Sequence, residues 1–257
     1  MIKSINPFSL ENKTIIVTGA SSGLGQQCAI SCSYMGARLI LLGRDLERLA
    51  STLEKMDTSS QHLVFSVDLT NYEKVKEVIQ LIVAKTGKIN GLVNCAGIST
   101  TLPFNMGNPE KMDEFFHVNV HSAMNITRIV TRQFNIYDDG ASIVFISSVM
   151  GMVGENGKSL YSMTKGALLS GARSLAIELA PRKIRVNCIS PGVVDSPMSK
   201  NAIYSRNQDS LNRISDLHPL GLGNPEDVAY SCIYLLSDAS RWVTGTNLTI
   251  DGGYTAR

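Results

Sequence analysis

The strongest constraint on this chain is a rhythm: short β-rich apolar runs alternate with helix-length segments almost from end to end. The runs fall at 14–18, 38–43, 63–67, 91–94, 142–146, 185–189 and 247–250. Helical patterns at 23–36, 45–56, 72–86, 109–134 and 159–179 separate them. The runs are continuously apolar rather than alternating, as in Ile15-Ile16-Val17, so both faces of each strand need cover. Strand and helix in strict succession predict an α/β, doubly wound architecture: a mostly parallel seven-stranded sheet with helices on both faces. No repeat, low-complexity tract or linker divides the chain, so residues 1–257 are expected to form a single domain. A hydrophobic content of 44% is ample for its core.

Charge and composition remove several classes of partner. A net charge of +2 gives no electrostatic case for nucleic acid or an anionic membrane. Residues 1–13 hold no apolar core of signal-peptide length, and no run is long enough to span a bilayer. The expectation is a soluble, reduced, cytoplasmic protein. The five cysteines (28, 32, 95, 188 and 232) lack metal-ligand spacing, and Cys28 and Cys32 read as small buried hydrophobes of one helix. His117 and His121 share an i,i+4 spacing but have no further ligands, so no metal is expected.

The turn between the first strand and first helix reads Thr18-Gly19-Ala20-Ser21-Ser22-Gly23-Leu24-Gly25. Glycines let the backbone approach a pyrophosphate, and the helix N-terminus offers unpaired N–H groups to it. Placed at the start of a doubly wound pattern, this turn predicts a Rossmann-type dinucleotide site. The second strand ends Gly43-Arg44-Asp45. An acid at this point usually takes the ribose hydroxyls of NAD, whereas an arginine suits the 2′-phosphate of NADP. Arg44 favours NADP(H) over NAD(H), although Asp45 is adjacent and Ser22 adds no second basic group.

Chemistry is concentrated in Tyr161 and Lys165, four residues apart and therefore stacked on one helix face. Thirteen residues earlier, Ser148 closes an apolar strand, Ile143-Val144-Phe145-Ile146-Ser147. A hydroxyl at a strand end beside a Tyr/Lys pair can deliver a proton to a carbonyl oxygen. The Tyr-x-x-x-Lys spacing alone is one that chance can supply, so its context carries the argument.

With these residues assembled, the chain resembles the classical short-chain dehydrogenase/reductases over essentially its whole length. Residues 18–25 look like that family's cofactor loop, including Gly19, Ser21, Ser22, Gly23, Leu24 and Gly25. Asp68, followed by Leu69, is similar to the aspartate used beside the adenine ring. Asn94-Cys95-Ala96-Gly97 resembles the Asn-Asn-Ala-Gly motif, with Cys95 in place of the second Asn. Asn119 sits where the family has a helix-kinking asparagine, and Ser148, rather than Ser147, has the family's spacing to Tyr161 and Lys165. Pro191-Gly192-Val193-Val194-Asp195-Ser196 looks like the motif that contacts the nicotinamide carboxamide, with Ser196 where threonine is usual.

The resemblance implies hydride transfer between nicotinamide and a ketone or secondary alcohol. Tyr161 would be the general acid; a free phenol titrates near 10, and the Lys165 ammonium would favour its ionised form. Ser148 would polarise the substrate oxygen, Lys165 would also hold the nicotinamide ribose, and Asn119 would fix a water that feeds protons to Lys165. Segments 99–106, 150–156 and 195–217 are expected to shape the substrate pocket, with 195–224 as a polar, irregular lid. A small-molecule substrate is favoured. The alternative is a 3-oxoacyl-[acyl-carrier-protein] reductase: Arg182 matches a carrier-docking position, but Tyr137-Asp138-Asp139-Gly140 is acidic where those enzymes tend to be basic. A cofactor-binding regulator without catalysis is the remote alternative, because it has no need of all four residues Asn119, Ser148, Tyr161 and Lys165. Gly166 and Gly171 within one helix would let another helix approach closely, which predicts a homodimer or homotetramer packed there.

Overall fold

The computed structural model describes residues 6–200, 202 and 207–256. Its strands are β1 (Thr14–Thr18), β2 (Arg38–Gly43), β3 (Leu63–Ser66), β4 (Gly91–Asn94), β5 (Ala141–Ile146), β6 (Ile184–Pro191) and β7 (Asn247–Ile250). They form one sheet of order β3-β2-β1-β4-β5-β6-β7. Every paired neighbour is parallel. The helices are α1 (Gly23–Tyr34), α2 (Leu46–Leu53), α3 (Tyr72–Thr86), α4 (Pro109–Phe116), α5 (Ser122–Val130) and α6 (Ser159–Leu179). They continue as α7 (Pro197–Lys200), α8 (Gln208–Asp216) and α9 (Pro225–Leu236).

The continuous apolar strands are explained by two cores, one on each face. Ile15 and Val17 of β1 join Leu39, Leu41, Cys28, Cys32 and Cys232 on the α1/α9 side. Ile16 turns the other way, with Ile40, Leu42, Ile79, Ile126 and Leu168. Alternate residues of each strand thus go to opposite cores, as the two-residue period of a strand requires. Each fully buried Leu or Ile contributes about 1.5–3 kcal/mol of hydrophobic stabilisation.

Three expectations need correcting. The pattern at 109–134 is not one helix: a π-helical turn, His117–His121, separates α4 from α5, which stops at Val130. Asn135 Nδ2 donates to Ile129 O (2.8 Å) and Arg182 Nη1 to Thr131 O (2.6 Å), satisfying carbonyls that a longer helix would have used. Among its described residues the excursion after β6 is not wholly irregular, since α7 and α8 lie within it. Residues 201 and 203–206 of the expected lid, and 1–5 of the N-terminal segment, lie outside the described residues. The two ends of the excursion are pinned together, with Asp195 N donating to Gly223 O (2.9 Å) and Gly223 N to Val193 O (3.0 Å). Finally, β6 runs on to Pro191, which carries the Pro-Gly motif directly off the sheet. No helix among the described residues is long and apolar enough to cross a membrane.

Candidate active site

β1 pairs with β2 on one side and β4 on the other, so consecutive chain segments diverge there and leave a crevice at the strands' C-terminal ends. The Thr18 hydroxyl spans the crevice: its Oγ1 accepts from Cys95 N (3.0 Å) and Ala96 N (3.1 Å). Above it lies a cavity of about 700 Å³, lined by the glycine turn at one place and by Ser148, Tyr161 and Lys165 at another.

The glycine turn is tight enough to exclude side chains. Gly19 has φ +66°, and a Cβ there would stand 2.9 Å from Ala96 Cα. A Cβ on Gly25 would run into the carbonyl oxygen of Gly19. Ser22 precedes α1 without making a side-chain cap, so the first N–H groups of a 12-residue helix are left for an external acceptor. These residues fit a dinucleotide pyrophosphate.

At the end of β2, Arg44 lines the cavity but Asp45 does not. Asp45 instead caps α2, its Oδ1 accepting from Arg48 N (3.0 Å). Arg48 joins Arg44 on the cavity wall. Asp68 accepts from Thr70 N (2.9 Å) and Thr70 Oγ1 (2.7 Å). Those bonds, helped by the Arg44 guanidinium, hold its carboxyl below the usual carboxylate range.

The end of the cavity that holds Ser148, Tyr161 and Lys165 is assembled from β5, α6 and the π-helical turn. Ser147 Oγ donates to Lys165 O (2.9 Å) and ties β5 to α6. Ser148, next along, accepts from Met150 N (3.2 Å), which leaves its own proton available to donate. Lys165 is 5% exposed, its Nζ donating to Ile146 O (2.8 Å) and lying 5.6 Å from the Tyr161 ring centre. Burial pushes its pKa down to about 8, against a smaller upward influence of Cys95 and Cys188. Asn119 is fully buried; its Oδ1 accepts from Ile98 N (2.8 Å) and its Nδ2 donates to Ile98 O and Thr164 Oγ1 (both 3.0 Å). A Cβ on Gly97 would sit 3.1 Å from Asn119 Oδ1 and 3.6 Å from Lys165 Nζ, so both groups face the same small space.

Beyond β6, Pro191, Gly192, Val194 and Ser196 line the cavity. His218, at the end of the excursion, accepts from Val193 N at Nε2 (3.1 Å) and donates from Nδ1 to Ile214 O (2.7 Å).

Most residues anticipated from the sequence therefore meet in one cavity, including Gly19, Ser21, Ser22, Gly23, Leu24, Gly25, Leu69, Ala96 and Gly97. Asn94 and Asn119 do not line it: Asn94 Nδ2 donates to Thr127 Oγ1 (3.0 Å) on α5, and Asn119 is enclosed beneath. Of the expected substrate segment 99–106 only Ser99 lines the cavity, and Phe104 and Met106 are exposed. Sequence reasoning missed Arg48, Lys158 and His218. Arg48 was detectable, four residues after Arg44 on a helix; the other two carry no local signal.

Comparisons with known proteins agree with this geometry. A short-chain family model described as enoyl-(acyl carrier protein) reductase matches residues 19–255. Relatives include the 3-oxoacyl-[acyl-carrier-protein] reductase FabG of Thermotoga maritima, 34% identical over 95% of this chain and 98% of that protein. The NAD-dependent glycerol dehydrogenase of Listeria innocua is 32% identical, covering 97% of this chain and 96% of that one. Among solved structures, a Beutenbergia cavernae protein assigned as an NAD(P) dependent gluconate 5-dehydrogenase, with bound NADP at low occupancy, superposes with a TM-score of 0.89. It is 28% identical, across 98% of this chain and 100% of that one. The chain belongs to the classical short-chain dehydrogenase/reductase family, NAD(P)-dependent oxidoreductases of alcohols and ketones.

Proposed function

We propose that this protein is an NADP(H)-dependent oxidoreductase acting on a ketone or secondary alcohol of a small metabolite. In this reading the chain is one domain with a lid across 195–224. The observation that carries it is the continuity of one cavity from the glycine turn to Ser148, Tyr161 and Lys165. The nicotinamide, when bound, supplies or accepts the hydride. Every other task falls to the chain. Tyr161 hands a proton to the oxygen on which negative charge grows, and Ser148 donates a second hydrogen bond to it. The Lys165 ammonium stabilises the phenolate that Tyr161 becomes, in surroundings dry enough to strengthen the interaction. Asn119 holds Ile98 and Thr164 in place and, across the space at Gly97, fixes a water through which Lys165 is re-protonated.

The preference for NADP(H) is supported by two guanidiniums, Arg44 and Arg48, on the same wall, and by the diversion of Asp45 into a helix cap. Assembly is proposed as a homodimer or homotetramer through the exposed Met163 and Ile177 of α6. The partly exposed Gly166 and Gly171 of the same helix belong to this proposal; within the chain, a Cβ on each would have as nearest neighbours Gly151 O (3.6 Å) and Met124 Cε (3.8 Å).

The relatives named as acyl-carrier reductases support a second reading, reduction of a carrier-bound 3-oxoacyl group. Arg182 is exposed, with Nη1 donating to Thr131 O, whereas Asp138 is paired with Lys88, so the loop before β5 offers acid where that reading needs a basic docking surface. The test is a screen of ketones, sugars, polyols and 3-oxoacyl thioesters with NADPH and NADH in parallel, read at the reduced-nicotinamide absorbance. Turnover of a free ketone with NADPH is expected. Turnover of thioesters alone would install the second reading, and no turnover with any substrate would overturn both.

A further inference from the structure

Lys158 is a charge that the proposed mechanism does not use. It stands one helical turn before Tyr161, at the N-terminus of α6, and lines the same cavity. It is 8% exposed, which is unusual for a lysine without an acidic partner. Its position is built by two loops zipped together: Leu102 N donates to Gly157 O (2.8 Å), and Lys158 Nζ donates to Thr100 O (3.3 Å). Gly157 lies so close to the 99–102 loop that a Cβ would meet Thr101 Cγ2 at 2.9 Å. The ammonium is held there rather than swinging in solvent.

Its hydrogen bonding is incomplete. An ammonium has three donors, and the contact to Thr100 O is one long bond to a neutral acceptor. No carboxylate among the described residues comes within ion-pair distance of Lys158. Glu155 is exposed on the same loop, and Glu114, also on the cavity wall, is paired to Lys111 at 2.6 Å. Burial pushes the Lys158 pKa below the ordinary lysine range, with Glu155 opposing that in part. A buried cation without a counter-charge is costly, and the cost is removed when an anion arrives in the cavity.

We propose that Lys158 is a substrate-recognition residue that binds an anionic oxygen group, carboxylate or phosphate, of the carbonyl substrate. The substrate class becomes an oxo acid or a phosphorylated ketone, with the corresponding alcohol. The anionic group docks at Lys158 while the carbonyl reaches Tyr161, one turn along the same face of α6.

This inference rests on the proposed oxidoreductase function, and its test separates the two. Two substrate pairs are compared: 3-oxobutanoate with its methyl ester, and dihydroxyacetone phosphate with dihydroxyacetone. The wild-type protein should prefer the anionic member of one pair by at least tenfold in kcat/KM, as a charge-assisted hydrogen bond supplies. The pair that shows it distinguishes carboxylate from phosphate. Lys158→Gln should abolish that preference, mainly through KM, and Lys158→Arg should restore part of it. Equal turnover within both pairs, or a preference that survives Lys158→Gln, overturns the proposal. The second measurement needs neither turnover nor a variant. Succinate and inorganic phosphate are titrated calorimetrically into the wild-type protein saturated with NADP⁺, with dimethyl succinate as the neutral control. At least tenfold tighter binding of one anion than of the ester supports the proposal, and no difference overturns it. A protein that bound the anion but consumed no NADPH with any carbonyl would refute the oxidoreductase reading alone.

Discussion

Replacing Lys165 by Met should change how stability depends on pH, by an amount the structure sets. Lys165 is buried and titrates near 8 when folded, against 10.5 for a free lysine. Below pH 8 both folded and unfolded chains hold the proton, so stability does not respond to this group. Between pH 8 and 10.5 the folded protein has released it while the unfolded chain retains it. Unfolding then takes up a proton, and the wild-type protein gains stability as pH rises. At 1.36 kcal/mol per unit, the gain reaches about 2.5 kcal/mol by pH 10. Lys165→Met has no such group. The assay is urea unfolding of both proteins, without cofactor and at one protein concentration, from pH 7 to pH 10. The wild type should gain about 2.5 kcal/mol relative to the variant over that range. A difference that stays flat, or that falls, would refute the claim that the ammonium sits in a desolvated site.

Ser148→Ala should lower kcat about 100- to 1,000-fold, the usual cost of one lost donor to a developing oxyanion, with NADPH affinity retained in a fluorescence titration. Arg44→Ala and Arg48→Ala should each raise the KM for NADPH about tenfold or more while leaving NADH little changed. An equal rise for both cofactors would place the arginines away from the 2′-phosphate. Gly19→Ala places a side chain where φ is +66° and Ala96 Cα is 2.9 Å away. At about 1–3 kcal/mol of strain, dinucleotide affinity should fall roughly tenfold or more, measured by the same titration.

The sheet was legible because parallel strands are covered on both sides, so apolar runs such as Ile15-Ile16-Val17 stand out without alternation. The phosphate turn was legible because backbone geometry demands glycine at Gly19 and Gly25. Long-range bonds were not. Nothing near Val130 announces that Asn135 and Arg182 will take the carbonyls at the end of α5. Likewise the π-helical turn places Asn119 against Ile98, 21 residues away in the chain. α8 did carry a local sign, an Asn207 cap accepting from Ser210 N, inside a segment whose polarity read as irregular. His218 and Lys158 depend on loops that meet only in the folded protein, which no spacing rule reaches.

The central claim is that Tyr161 delivers the proton in a hydride-transfer site built on the glycine turn. Its most direct test is the single-turnover rate of NADPH oxidation by Tyr161→Phe, with the ketone that the wild type reduces best and with cofactor binding measured in parallel. Loss of a positioned general acid costs about 100- to 10,000-fold, so the rate should fall by that factor while NADPH still binds. A Tyr161→Phe protein that reduces the ketone at the wild-type rate would contradict the account.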